Sequence, residues 1–327
     1  MNADIEREQV KQERRESVKL DAIVKLLFSV SKPLLVNAIN GLFNTTYDPD
    51  ETDVDVIKTA TEYAKKDMSL IRADLFIQVR ADGKSVDYHL EFQLAADSRM
   101  VVRLFEYDIQ HALENFRLSD ISDVIKLKLA QSIVLHFEKS NTVPDTYRLL
   151  IEFADGTTHE YSADIFKYWN YDNNMLIDRK LYNLLPLQLF ILRAELDKLT
   201  EGRSEQAKPE AAVRVINLTK DLVNRIMELY DNGEFDILDL DRITSALNEL
   251  YGHLRDRYNI SEELSKEAEN MIKTLYDERL VAETKKQANI ETAIKMLLKD
   301  KPIDEIIEFT ELTKKEIQDI QKTLNKA

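Results

Sequence analysis

Apolar residues recur along this chain with two different periods, and each period marks a different kind of element. Val18, Leu20, Ile23, Val24, Leu26 and Leu27 fall at helical spacing, and Ser31 with Pro33 opens a second helix through LLVNAINGLF. Residues 44–69 are polar and poorly periodic, with a strand-like VDVI at 54–57. The period then changes to two. In IRADLFIQVR, Ile71, Ala73, Leu75, Ile77 and Val79 share one face, and Arg72, Asp74, Phe76, Gln78 and Arg80 share the other. In VDYHLEFQL, Val86, Tyr88, Leu90, Phe92 and Leu94 alternate with Asp87, His89, Glu91 and Gln93. Asp82-Gly83 between the two runs is a two-residue hairpin signal, because both central positions of such a turn need positive φ.

Beyond the hairpin, the spacing predicts a helix over 97–117 with Asp97 as its N-cap and a short strand QSIVLHF at 131–137. A second hairpin follows, formed by YRLLIEF and THEYSA around Ala154-Asp155-Gly156-Thr157, and LQLFILRAEL starts another helix. The polar stretch TEGRSEQAKPEA reads as a domain boundary. The expected organisation is a charged arm over 1–16, an α/β domain over 17–198 and a helical region over 211–327.

Composition narrows this picture. Glycine and proline number only six each in 327 residues, which speaks for long helices and against a sandwich or barrel. The formal net charge of −15 weighs against wholesale electrostatic capture of nucleic acid or of an anionic membrane, although a local basic groove is compatible with it. Without cysteine there are no disulfides and no thiolate metal sites, and a reducing, cytoplasmic compartment is expected. The opening MNADIEREQVKQERRES has no apolar core and reads as neither a secretory signal nor an anchor. No apolar run approaches the length that crosses a bilayer, so no membrane partner is expected. Walker-type, G-x-G-x-x-G, G-x-S-x-G and H-E-x-x-H motifs are all missing from the sequence.

The first hairpin permits a register calculation. If Asp82 and Gly83 are its loop residues, Ala81 pairs with Lys84 and paired numbers sum to 165. Asp74 then stands across from Glu91 on the polar face, and Arg72 across from Gln93. Like charges directly opposed on adjacent strands cost roughly 0.2–1 kcal/mol, so such a pair calls for a compensating cation or a shared proton. Two carboxylates with a backbone carbonyl are hard oxygen donors, suited to Mg²⁺ or Mn²⁺ rather than zinc. On the other reading, these are ordinary acids of a half-exposed hairpin, neutralised by Arg72 and Arg80.

The segments DAIVK (21–25), RADLFIQV (72–79), YHLEFQL (88–94) and RLFEYDIQHA (103–112) occur in that order. Together they resemble the recombination-promoting nuclease and transposase branch of the PD-(D/E)XK superfamily, over about residues 17–195. The tail AIKMLLKDKPIDEIIEFTELTKKEI also resembles the helical ending of such proteins. The resemblance implies a restriction-endonuclease-like core, with a central mixed sheet flanked by helices, followed by a helical C-terminal region. It also implies Mg²⁺- or Mn²⁺-dependent hydrolysis of DNA phosphodiester bonds. Asp74 and Glu91 would be the metal ligands, with the Phe92 carbonyl as a third. Gln93 stands where the superfamily's name-giving lysine would be, which removes a cation from the site; Arg72 is placed to supply one. Asp21 adds a carboxylate, or pairs with Lys25 four residues on. Paired subunits are expected, because a double-strand cut needs two sites. The rival expectation is a catalytically weak or inactive relative that acts as an interaction or regulatory protein.

Arg99, Arg103 and Tyr107 share a helix face and are candidates for contacting DNA phosphate, while Arg103 has Glu106 or Glu91 as an alternative partner. His89 reads first as a hydrogen-bonded structural residue and second as a proton-transfer group. His111, His136, His159 and His253 lack metal-ligand spacing. Trp169 with Tyr168 and Tyr171 reads as a packed aromatic cluster before a stacking platform. KPIDEIIEFTELTKKEIQDIQ reads as two short helices, better suited to helix pairing than to base reading.

Overall fold

The computed structural model describes residues 22–64, 70–93, 97, 99–114, 126–137, 139–200, 207–299 and 301–324, and within these the side chains of 54–64 and 70–74 are among those outside the description. Asp21 and the arm at 1–16 lie outside the described residues.

After a short helix at 22–27 (α1), Ser31 precedes α2, Lys32–Phe43, with Pro33 in its first turn where the missing amide costs nothing. Ser31 does not cap with its side chain. Its hydroxyl and amide both donate to the buried carboxylate of Asp239, at 2.5 and 2.6 Å, which ties this turn to a distant helix. Three strands follow: β1, Asp53–Ala64; β2, Leu70–Ala81; and β3, Lys84–Gln93. β1 is longer than the VDVI signal, because polar residues that lack an apolar rhythm of their own pair antiparallel with β2, with one register shift between Val56 and Lys58. The β2–β3 turn has Asp82 at φ 52° and Gly83 at φ 70°, the conformation expected for this dipeptide.

α3, Met100–Glu114, crosses back before β4, Gln131–His136. β5, Thr146–Glu152, and β6, Thr158–Lys167, form the second hairpin. The mixed sheet has the order β1-β2-β3-β4-β6-β5, with β3/β4 and β4/β6 parallel and the other pairs antiparallel. Thus β6, not β5, lies beside β4. α3 lies against one face of this sheet, touching β2, β5 and β6. The other face receives α1 and α2, where Phe28 meets Phe92 edge-on at 5.5 Å and Phe43 lies 4.5 Å from Tyr88.

The chain continues through 3₁₀ turns at Tyr168–Asn170 and Tyr182–Leu187 on either side of α4, Asn173–Asp178. α5, Gln188–Thr200, α6, Ala207–Asp231, and α7, Ile237–Arg257, then pack on one another and on the Tyr182–Leu187 turn. Tyr168 is buried and donates to the Leu184 carbonyl at 2.6 Å, and Tyr171 stacks on Phe166 at 4.2 Å. This neighbourhood is a packed aromatic cluster. Contacts group the chain into two compact units, one ending at Ala268 and the other Glu269–Ala327. The polar stretch near 200–211 falls inside the first.

The second unit holds the end of α8, Glu262–Leu297, with α9, Ile303–Thr310, and α10, Lys314–Leu324. Its small core joins Ala293, Ile306, Leu312 and Ile317. Thr313 and Glu316 form a reciprocal cap at the start of α10: the Thr313 amide donates to the Glu316 carboxylate and the Glu316 amide to the Thr313 hydroxyl.

One helical glycine is fixed by packing rather than by φ. A Cβ at Gly41 in α2 would sit 2.6 Å from the Arg179 carbonyl oxygen and 2.7 Å from Leu181. Gly41→Ala is expected to destabilise the fold by about 1–3 kcal/mol, the range for overpacking, despite alanine's better helix propensity. Urea unfolding checks this, and an unchanged midpoint would contradict it.

Candidate functional site

The register through the first hairpin runs from Ala81 opposite Lys84 to Leu75 opposite Leu90, so paired numbers sum to 165. Asp74 and Glu91 are the residues that follow this last pair on the two strands. The side chains of Arg72 and Asp74 lie outside the described residues.

The polar face of this hairpin is not open to solvent along its length. α3 covers it, and Phe76, His89 and Glu91 are fully buried or nearly so. Glu91 is 1% exposed, and its Oε1 accepts from Gln93 Nε2 at 2.8 Å and from Arg103 Nη2 at 3.0 Å. Arg103 is the organising cation. Its Nη1 donates to Asp97 Oδ2 at 3.0 Å and its Nε to the Tyr107 hydroxyl at 3.2 Å. Burial opposes its charge, but Glu91 and Tyr107 outweigh that and raise the guanidinium pKa. Asp97 also accepts from the Arg99 amide at 2.9 Å, and that bond leads the causes that hold its carboxyl below the usual range. Of the two partners that the sequence offers Arg103, the structure shows Glu91 bonded and adds Asp97.

Deeper under α3, the His89 ring lies flat on Phe76, centroids 4.3 Å apart, and His111 stacks on the other side of the same ring at 4.0 Å. His89 Nδ1 lies 2.7 Å from Asp108 Oδ1. Asp108 Oδ2 accepts from the Ser132 and Tyr161 hydroxyls at 2.5 and 2.6 Å. Burial and the Asp108 charge together push the Tyr161 phenol far up, so it stays a donor. His111 Nε2 lies 2.9 Å from Asp87 Oδ2, and Gln78 donates to Oδ1 at 2.9 Å. Burial works to raise the Asp87 pKa, but these two bonds dominate and lower it.

Parallel pairing extends the site sideways. Gln93 pairs with His136, and His136 with Lys167, so three polar side chains form a row across β3, β4 and β6 on the α3 face. Neighbouring strands are about 4.8 Å apart, so the row reaches roughly 10 Å from Gln93 to Lys167. Lys167 pairs at 2.5 Å with Asp145, which is almost fully exposed. Sequence reasoning did not find Asp97, Asp108, His136 or Lys167 as site residues, because they converge only through the crossover β3-α3-β4 and the placement of β6 beside β4. The helical spacing of Arg99, Arg103 and Tyr107 was legible, and the structure adds His111 to the residues that α3 brings to the hairpin.

Buried His136 accepts from or donates to the Tyr147 hydroxyl at 3.0 Å. Burial and the nearby Lys167 charge push its pKa from 6.5 down to about 4. The unfolded chain therefore binds a proton below pH 6.5 that the folded chain refuses until about pH 4. The stabilisation is complete above the higher value and is lost as pH falls through the window between them. Wild type is expected to lose about 2–3 kcal/mol more than His136→Gln across that window, measured by denaturant midpoints. Equal losses would remove His136 as the cause.

Among the described residues, no group of three or more His, Asp or Glu side chains is gathered as a metal site, and no helix is long and apolar enough to cross a membrane. The hard oxygen donor that is described is Glu91, a buried carboxylate whose Oε1 accepts from Gln93 and Arg103. Comparison of the chain with protein-family models, with curated proteins and with solved structures returns no match.

Proposed function

We propose that this α/β protein is a metal-dependent DNA nuclease of the PD-(D/E)XK type, hydrolysing phosphodiester bonds with Mg²⁺ or Mn²⁺. The observation that supports the reading is buried Glu91 bonded to Gln93 and Arg103, residues of the motifs that resemble the recombination-promoting branch, on a hairpin whose register runs to Leu75 opposite Leu90, the residues next to Asp74 and Glu91. Asp74 and Glu91 would hold the ion. When bound, the ion would polarise a phosphoryl oxygen and lower the pKa of a coordinated water.

The chain's own residues do the rest. Arg103 offers a guanidinium at the rim of the site, a third exposed, with a fork that matches phosphate geometry. Lys167 ends the polar row, and its exposed partner Asp145 is readily exchanged for a DNA phosphate. These two cations take over the electrostatic duty that Gln93, lacking charge, does not perform. The acidic chain would work on DNA in the cytoplasm, with a second copy supplying the second cut.

One observation favours the rival, non-catalytic reading: Arg103 already neutralises Glu91. A plasmid-nicking assay with Mg²⁺ or Mn²⁺ separates the two. Wild type is expected to nick, and Asp74→Ala and Glu91→Ala are not. Failure of wild type with either metal, or equal nicking by the variants, would rule out the enzymatic reading.

A further inference from the structure

We propose that the chain pairs with a second copy of itself along the free edge of β5, antiparallel, with a two-fold axis at Leu150. Such pairing joins the two sheets into one. The inference does not rest on the nuclease reading, which asks only for a second copy and says nothing of where it sits.

β5 ends the sheet: β6 takes one side of it, and no strand among the described residues takes the other. The ladder fixes which backbone groups are left over. The Phe153 amide donates to the Thr157 carbonyl at 2.8 Å, and the pairing runs unbroken from Glu152 opposite Thr158 to Thr146 opposite Asp164. Bonded and non-bonded positions alternate in an antiparallel pair, so Tyr147, Leu149 and Ile151 bond β6. Arg148, Leu150 and Glu152 aim their N–H and C=O groups outward. Natural edge strands are commonly blunted by a lysine, a proline or a bulge. The opposite edge, β1, has a register shift between Val56 and Lys58. The β5 run TYRLLIE has none of the three devices, and its Leu150 is 66% exposed.

A second copy is the occupant because β5 is complementary to itself. With Leu150 opposite its own copy, Arg148 stands opposite Glu152 and Glu152 opposite Arg148, so two ion pairs flank a leucine pair on one face. On the α3 face, Leu149 stands opposite Ile151 on both sides of the axis. The residues with outward backbone groups meet one another, so the ladder can close. A shift of two residues either way is the smallest that keeps those groups matched, and it sets Leu150 against Arg148 or Glu152. Arg148 already bonds Glu160 within the hairpin at 2.8 Å, but that pair is exposed and readily shared with a second carboxylate. The contact uses the same surface on both copies and closes at two.

The test uses the full-length chain. In sedimentation velocity at micromolar concentrations, wild type is expected to run as a dimer. Leu150→Lys sets two ammonium groups against each other on the axis and should run as a monomer. Arg148→Glu and Glu152→Arg each oppose like charges twice and should weaken association by roughly tenfold. An equimolar mixture of these two variants should restore it, a rescue that the shifted registers do not give. The chain has no cysteine, so Leu150→Cys reads the axis directly. Directly opposed bonded residues have Cα atoms about 5.5 Å apart, within disulfide reach, and oxidation should cross-link this variant. Ser162→Cys, exposed on β6, should stay uncross-linked. Circular dichroism establishes that each variant is folded, and if Leu150→Lys does not fold, the Leu150→Cys cross-link decides. A monomeric wild type would overturn the inference and leave the edge to a strand of another protein. A folded Leu150→Lys that stays dimeric, or a Leu150→Cys that cross-links no more than Ser162→Cys, would overturn it too. Failure of the nuclease reading looks different: a cross-linked dimer that nicks no plasmid removes the enzyme and keeps the interface, and nicking by a chain that is always monomeric does the reverse.

Discussion

Asp108→Ala is expected to lower the stability of the first unit by about 3–5 kcal/mol, the cost of removing one member of a buried charged network. Three groups lose their acceptor at once: the Ser132 hydroxyl, the Tyr161 hydroxyl and His89 Nδ1, all buried. Each stranded donor costs on the order of 1–3 kcal/mol, and the sum is reduced because the side chains can turn and water can enter the space left behind. For a unit of this size the melting temperature should fall by roughly 6–20 °C, and near-ultraviolet dichroism of the aromatic residues around Phe76 would follow it. Asp108→Asn keeps the volume and one acceptor oxygen, and should lose much less. A melting curve for Asp108→Ala that overlays wild type would show that the network does not hold α3 on the sheet.

Glu91→Gln should abolish metal-dependent nicking, by a hundredfold or more, while leaving the fold intact. The substitution keeps the shape and an acceptor for Arg103 and Gln93, so the local hydrogen bonds persist. What it removes is the charge that holds the cation, and the cation's contribution to transition-state stabilisation is several kcal/mol, at 1.36 kcal/mol for each factor of ten. Arg103 then faces a neutral amide. The measurement is the single-turnover nicking rate at saturating metal for wild type and variant, with a melting curve for each. Equal rates would show that Glu91 is a structural partner of Arg103 and nothing more, which is the non-catalytic reading.

The hairpin was legible because its information is local. Period two sorts Phe76, His89 and Glu91 from Leu75, Tyr88 and Leu90, and Asp82-Gly83 selects one turn and therefore one register. The start of α2 and the Asp97 turn before α3 were legible for the same reason. β1 was only partly legible, because most of its residues gain their strand conformation from pairing with β2 and not from their own pattern. The division of the chain near 268 has no composition signal, since α8 runs through it as continuous helix.

By itself, then, the sequence determined which side chains share a face: Asp74, Phe76, Gln78, His89, Glu91 and Gln93 on two strands, and Arg99, Arg103 and Tyr107 on one helix. The tertiary structure alone decided that the strand pair and this helix meet, through Arg103 on Glu91 and Tyr107 on His89. Only the packing of α3 on the sheet makes the polar hairpin face a buried one, and only parallel pairing with β4 and β6 brings Ser132, His136, Tyr161 and Lys167 to it. The physical reason is that periodicity fixes the direction of a side chain within its element, whereas burial and charge pairing depend on which element covers it.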